Sequence, residues 1–252
     1  MCAQAIVSDV HGNIEALEVV LNDICDRGIK QIICLGDLIG YGPNPKECLD
    51  AAIDFDLTIL GNHEEAVLHA VEMRGFNPGA SQAVQWTVDQ FDMLGPDKAR
   101  NARRWDFLGE LPRTFEQENV LCVHGAPPDK TREYVRIADC RNPRKMARLF
   151  SYFNRVCFVG HSHVPGVWSE DLSYYTPKSI ENRFRFDARK VIVNVGAVGQ
   201  PRDHDNRACY VVLHGPYVEW VRVPYDVKKT CEKIRAIPEL SDSLAERLET
   251  GA

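Results

Sequence analysis

The stretch AQAIVSDVHGN (residues 3–13) decides how the chain is read. Residues 3–9 predict a buried strand, and beyond its apolar run the chain carries Asp9, His11, Gly12 and Asn13. Ile14, Leu17, Leu21 and Ile24 then recur at helical spacing as far as Gly28, a residue suited to stopping a helix. The same unit returns twice. QIICLGD (31–37) predicts a strand before a helix over PKECLDAAI (45–53), and LTILGN (57–62) predicts a strand before further helix. Strand–helix–strand repetition of this kind builds a parallel sheet with helices packed against it.

Residues 62–110 read as mostly helical, interrupted at Gly75–Gly79 and at Gly95-Pro96. Beyond residue 112 the character changes. NVLCVHG (119–125), VCFVGH (156–161), VPGVW (164–168), KVIVNVG (190–196), ACYVVL (208–213) and YVEWVRV (217–223) predict strands joined by turn residues. They are expected to form a second sheet, richer in antiparallel pairs, with residue 112 marking the change of layer. Val227 to Leu248 predicts two short helices split near Pro238. No repeat, low-complexity tract or Pro/Ser-rich linker divides the chain. The expectation is one domain over 1–252, with a core of about 3–223 and a C-terminal helical tail of about 227–249.

The 252 residues are 44% hydrophobic and 26% charged, an ordinary globular balance. Thirty Lys and Arg against 36 Asp and Glu give a formal charge of −6. That argues against a general nucleic-acid coat, which needs a basic excess to displace counterions, and leaves room for a local phosphate site. The nine cysteines stand singly, with no CxxC pair, and several sit in apolar runs such as QIICLGD and VCFVGH. Free cysteine packs as a small hydrophobe, so the expectation is reduced core thiols in a cytoplasmic protein. No apolar run approaches the length of a membrane span, and the N-terminus lacks the pattern of a secretory leader.

Five short signals carry the chemistry: Asp9-Val10-His11-Gly12-Asn13, Gly36-Asp37, Gly61-Asn62-His63-Glu64, His124-Gly125 and Gly160-His161-Ser162-His163. Each places metal-ligand residue types at the C-terminal end of a predicted strand, where open α/β sheets build their sites. Taken singly, each also fits capping and turn chemistry at a strand-to-helix junction. Taken as an ordered set they point to a metal. The donors are Asp, His and Asn without a thiolate, which suits Mn²⁺, Fe²⁺ or Zn²⁺ in a working site better than a structural zinc. His69, His204 and His214 match no motif and are assigned to packing or surface.

The ordered set DxH, GD, GNHE, H, GHxH resembles the calcineurin-like metallophosphoesterase superfamily over about residues 5–223. The phrases SDVHGN, GDLIGYGPNP and NVGAVGQPRD are more narrowly similar to its small prokaryotic YfcE-type phosphodiesterases. The resemblance implies an α/β fold, two mixed sheets packed as a sandwich and flanked by helices in four layers (α/β/β/α). It also implies a dinuclear centre at one edge. One metal would be held by Asp9, His11 and His163, a second by Asn62, His124 and His161, with Asp37 bridging. Two divalent ions are implied, manganese first, iron or zinc as alternatives, and nickel or cobalt as substitutes in vitro. A hydroxide shared by the two ions would attack phosphorus in line. His63 would stand free beside the ions as the catalytic group that stabilises or protonates the leaving oxygen.

One departure from the superfamily's protein phosphatases and symmetrical dinucleoside tetraphosphatases is visible. Those relatives carry an acid three positions after the GD aspartate, and here that position is Gly40. The carboxylate that would orient His63 is missing from its usual place. Substrate contacts are assigned to Asn13, Arg202 and Arg207, with simpler readings beside them. Asn13 also suits a helix N-cap, and the arginines of QPRDHDNR also suit ion pairs with Asp203 or Asp205. Tyr41 and Pro43-Asn44-Pro45 predict a rigid loop that shapes access or fixes the turn into the next helix. The function implied is a metal-dependent phosphoesterase acting on a phosphodiester or a small phosphorylated metabolite, without membrane attachment. Its alternatives are an asymmetrical dinucleoside tetraphosphatase and a non-catalytic protein-binding scaffold of the same fold. A scaffold can lose ligands without cost, whereas all seven ligand positions are filled here.

Overall fold

The computed structural model describes residues 3–69, 76 and 78–252. In its first half, β1 (Gln4–Val7), α1 (Ile14–Asp26), β2 (Gln31–Cys34), α2 (Pro45–Ala52) and β3 (Leu57–Thr58) alternate. Then come α3 (Asn62–His69), α4 (Pro78–Gln90) and α5 (Lys98–Glu110). The second half opens with β4 (Phe115–Gln117), β5 (Val120–Cys122), a 3-10 turn at Ile137–Arg141, α6 (Pro143–Phe150) and β6 (Val156–Val159). It continues with β7 (Gly166–Ser169), β8 (Tyr174–Tyr175), a 3-10 turn at Pro177–Ile180, β9 (Arg183–Arg185) and β10 (Val191–Asn194). The chain finishes with β11 (Ala208–His214), β12 (Tyr217–Val223), α7 (Val227–Arg235) and α8 (Asp242–Thr250).

The strands form two six-stranded mixed sheets, ordered β3-β2-β1-β11-β12-β9 and β4-β5-β6-β10-β7-β8. Alternation along each strand assigns its side chains to two different layers. Ile6 and Val211 of the first sheet face inward onto Phe158 and Val193 of the second. Ala5, Val7, Tyr210 and Val212 face outward, where Leu17, Val20 and Ile24 of α1 cover them. Cys157, Val159 and Ile192 face outward from the second sheet onto Met146, Leu149 and Phe150 of α6. Helix, sheet, sheet and helix therefore stack as the expected four layers. Six of the eight described cysteines are buried, five of them in these layers and Cys231 under the C-terminal helices.

Three readings from sequence need correction. The change at residue 112 is not a change of layer, because β9, β11 and β12 join the first sheet. The reason lies at β1, whose second edge is left open by the parallel partner β2 and is filled antiparallel by β11. The two sheets consequently have the same mixture of pairings: each has two parallel and three antiparallel neighbours. The strand expected over 57–62 closes after Thr58, and Asn62 already opens α3. α6 was not expected. Its signals are Asn142, whose side chain accepts from the Lys145 amide, and Pro143 in its first turn. Of the interruption expected at Gly75–Gly79, Gly79 lies within α4, while 75 and 77 are outside the described residues.

The helical tail packs against the loop that follows β1. Thr230 Oγ1 of α7 donates to Asn13 Oδ1 at 3.1 Å, and Lys233 donates to Glu15 at 2.6 Å and to Asn44 Oδ1 at 2.9 Å. Among the described residues, no helix is long and apolar enough to cross a membrane.

Candidate metal centre

The loops at the strand ends lock to one another before any side chain is considered. The amides of Asp9, His11 and Gly12 donate to the carbonyls of Gly36, Asp37 and Leu38 at 3.0, 2.9 and 2.8 Å. The Gly160 amide donates to the His124 carbonyl at 2.8 Å. Asp9 (φ 55°), His11 (48°), Asp37 (54°), His161 (61°) and His163 (58°) all take left-handed backbone. Outside glycine this conformation is costly and gathers at functional sites. Close approach explains two of the glycines. A Cβ on Gly61 would overlap the Asp37 carboxylate, and one on Gly160 would overlap the Ser8 side chain.

The structure gathers all seven expected ligand residues, each buried. Asp9 Oδ1 lies 3.2 Å from His163 Nε2 and 3.8 Å from His11 Nε2, and the two imidazole nitrogens face each other at 3.1 Å. On the other side, His124 Nε2 lies 3.0 Å from Asn62 Oδ1. Asp37 Oδ2 stands between the groups, 3.7 Å from His11 Nε2 and 3.3 Å from His124 Nε2. Asp9, His11 and His163 form one cluster of ligand atoms within 4.8 Å of one another, and Asp37, His124 and His161 form another.

The donor and acceptor inventory shows what such a site needs. Nδ1 of His11, His124 and His163 points at the backbone carbonyls of Ile39, Leu35 and Gln200, at 3.2, 2.8 and 2.6 Å. Nδ1 therefore carries the proton, and in a neutral ring Nε2 is left as a lone pair. Burial holds His11 and His163 below the ordinary histidine value and pushes His161 down to about 3. The Nε2 of His161 is buried without a hydrogen-bond partner.

The carboxylates stay charged. Burial raises Asp9, but His163 and His124 outweigh it and hold the acid well below the usual range. Burial likewise opposes the ionisation of Asp37, and His124 and His63 overcome it. Burial opposes the charge on His124 too, yet the adjacent Asp37 lifts it to about 9. Asp9, Asp37 and, behind Asp37, Glu64 are thus buried acids whose charge pulls His124 upward, amid imidazoles that burial pulls toward the neutral form. Such an arrangement suits a cation, and the oxygen and nitrogen donors suit a divalent metal.

His63 joins His11 and Asp37 in a third such group of atoms within 4.8 Å, and it was expected to stand free of the ions. Its amide donates to Asp37 Oδ1 at 2.9 Å. Its ring lies among Tyr41 (4.5 Å between centroids), His11 (4.7 Å) and Phe76 (4.9 Å). Nδ1 has no hydrogen-bond partner, and a side chain on Gly40 would run into it. The missing acid is thus replaced by contact with the ring itself. Burial pushes His63 down to about 4 against the pull of Asp37.

The expected substrate contacts divide. Arg202 reaches the site: its guanidinium lies 5.9 Å from the Tyr41 ring centre, and it donates to Gln200 Oε1. Asn13 caps α1 instead. Its Oδ1 accepts from the Ala16 amide, and its Nδ2 donates to the Gly199 carbonyl and Tyr225 hydroxyl, so the side chain is fully engaged. Arg207 is held in an ion pair with Asp205 at 2.6 Å.

Sequence reasoning gave no role to Glu64 or Tyr134. The fully buried Glu64 carboxylate accepts from the amides of Asp37 (2.8 Å), Gly61 (3.0 Å) and Ile39 (3.2 Å), tying the GD loop to the start of α3. Its place in GNHE was the available signal. Tyr134 packs its ring 3.9 Å from that of His161 and belongs to no motif.

The comparisons with known proteins follow the same lines. Residues 3–215 match the calcineurin-like phosphoesterase superfamily domain. The chain belongs to that superfamily. It is 37% identical over 255 residues to an uncharacterized protein of Methanocaldococcus jannaschii, covering 98% of this chain and 97% of that one. A metallophosphoesterase from Sphaerobacter thermophilus has a similar structure, with a TM-score of 0.83 and 33% identity, covering 100% of this chain and 99% of the other. A hypothetical protein from Pyrococcus horikoshii shares the fold at a TM-score of 0.74 and 16% identity, over 100% and 99% of the two chains.

Two tests follow from this geometry. Glu64→Gln replaces one accepting oxygen by a donor that faces backbone amides. It should destabilise the protein by about 1–3 kcal/mol in chemical denaturation, and an unchanged midpoint would contradict the role. The second concerns pH. With His124 lifted to about 9, its proton is present at neutral pH and must leave when Nε2 takes a metal. Affinity for Mn²⁺ should rise with pH and level off above about 9. Calorimetric affinities that stay constant between about pH 6 and 8 would contradict this.

Proposed function

We propose that the protein is a dinuclear, divalent-metal-dependent phosphoesterase that hydrolyses a phosphodiester or a small phosphorylated metabolite. The observation that carries the reading is the position of Asp37 Oδ2 between His11 and His124, with Asp9 and His163 on one side and Asn62 and His161 on the other. Superfamily membership supports phosphoester chemistry, and the donor set suits manganese, iron or zinc. When bound there, two ions would offset phosphate charge and acidify a water for in-line attack on phosphorus.

The chain's own residues account for the rest. Asp37 holds the two donor groups at a fixed separation, and Glu64 fixes Asp37 through its amide. Arg202, beside Tyr41, supplies positive charge for a phosphate oxygen. His63 is buried and neutral, with no carboxylate on Nδ1, so it suits donation of a hydrogen bond to the leaving oxygen. Such a donor favours leaving groups that depart without full protonation, as aryl diesters do.

The test loads the protein with Mn²⁺ and compares bis(p-nitrophenyl) phosphate with a phosphoserine peptide. The diester is expected to turn over and the peptide poorly. His63→Ala should keep its metals and lose about 10²–10⁴ in kcat, the usual worth of proton-transfer help, and less for leaving groups of low pKa. Equal slopes of kcat against leaving-group pKa for wild type and variant would remove His63 from that role. A peptide turned over faster than the diester would remove the assignment of substrate class.

A further inference from the structure

A cavity of about 380 Å³ opens beside the candidate metal centre, and nothing in the site described above uses it. Its volume lies toward the lower end of small-molecule sites, roughly 300–1,000 Å³. Val164, Ile137, Ala138 and Trp168 are among its apolar walls, and Tyr134, Arg136 and Ser162 contribute polar groups.

Two of these residues join the cavity to the site. Ser162 stands between His161 and His163 in the chain, so one backbone segment serves both. Tyr134 packs on His161 with ring centroids 3.9 Å apart. The cavity therefore lies one ring away from His161, within reach of a substituent on a phosphate held by the clustered donors. Ile137 is 51% exposed at this cavity, one of four large exposed hydrophobics among the described residues. A lone exposed isoleucine is ordinary, but one that continues an apolar wall beside a catalytic cluster is a surface to cover.

The lining selects among possible occupants. A sugar or polyol needs many hydrogen-bond partners. The Ser162 hydroxyl already accepts from Asn194 Nδ2 at 3.0 Å, and the Trp168 indole N–H is spent on the Arg136 carbonyl at 3.1 Å. What the lining still offers a hydroxyl is the Ser162 O–H, the Tyr134 hydroxyl and the Arg136 guanidinium, fewer partners than a polyol gives up in water. A cationic headgroup would meet the Arg136 guanidinium, which lies 5.0 Å from the Tyr134 ring centre. A planar, uncharged ring suits both features, because apolar walls accept its faces and a guanidinium stacks on π systems.

We propose that this cavity is a specificity subsite that takes a planar aromatic or heteroaromatic group carried on the substrate phosphate ester, directly or through a linker that stays outside the cavity. The proposal rests on the phosphoesterase reading and narrows it from phosphodiesters at large to those carrying such a ring.

The kinetic test uses Mn²⁺-loaded protein and p-nitrophenyl diesters whose second group is methyl, phenyl or 5′-thymidine, so that the leaving group never changes. The wild type should show a KM about tenfold lower for the phenyl and thymidine esters than for the methyl ester, the scale on which a shaped apolar pocket discriminates. Ala138→Trp fills the cavity from the exposed 3-10 turn and should abolish that preference. Ile137→Asp, a second variant on the same turn, should reduce it. Equal KM values across the wild-type series, or a variant that shifts all three esters by the same factor, would overturn the proposal.

Calorimetry with thymidine 5′-monophosphate and methyl phosphate decides the subsite without turnover. Tighter binding of the nucleotide by about tenfold, lost in Ala138→Trp, supports it, and equal affinities refute it. Hydrolysis of none of the esters, with that binding preference intact, would defeat the phosphoesterase reading and leave the subsite standing.

Discussion

Asp9, Asp37 and, behind Asp37, Glu64 are buried acids whose charge pulls His124 upward. The surrounding imidazoles are held neutral by burial, and their outer nitrogens converge on the same small volume. Burying a net negative charge is expensive unless something answers it. The fold accepts that cost at one edge of the sandwich, together with five ligand-type residues in left-handed backbone. Both features make sense if the protein is shaped around cations, and the strand ends, glycine contacts and loop hydrogen bonds serve to hold that arrangement.

Asp37 is the point through which most of this passes. One of its oxygens takes the His63 amide, the other lies between the two donor groups, and its own amide is held by Glu64. Glu64 and His63 are neighbours in the first turn of α3, so placing that helix sets the bridging acid and the candidate proton donor together. The tail helices act on the other loop through Thr230 and Asn13. The geometry of the candidate centre therefore depends on elements distant in sequence.

Much of the fold was legible because short continuous apolar runs and strand–helix repetition are local signals. The parallel triad β1–β2–β3 and the apolar strands 119–125, 156–161 and 190–196 came directly from them. Sheet membership was not legible, since Val211 and Val193 look alike in sequence and only pairing decides which sheet each joins. The seven ligand positions were visible because each follows a strand and brings a donor and a glycine. Asn13 and Arg207 show the limit. Asn13 caps α1 and also bonds Gly199 and Tyr225 far along the chain, and Arg207 pairs with Asp205 two residues away; the cap and the ion pair were readable in sequence, and only the fold decides between them and a substrate contact. Tyr134 is illegible for the same reason: it meets His161 only after the chain has folded across 27 residues.

In the proposed dinuclear centre, Asp37 joins two cation sites into one. Equilibrium dialysis against Mn²⁺ followed by elemental analysis, on the wild type and on Asp37→Asn, tests it most directly. The substitution keeps an oxygen for the His63 amide and removes the shared charge. Two ions per chain in the wild type and loss of both from the variant are the predicted result, in keeping with dinuclear centres that share ligands. Retention of two tightly held ions by Asp37→Asn would contradict the claim.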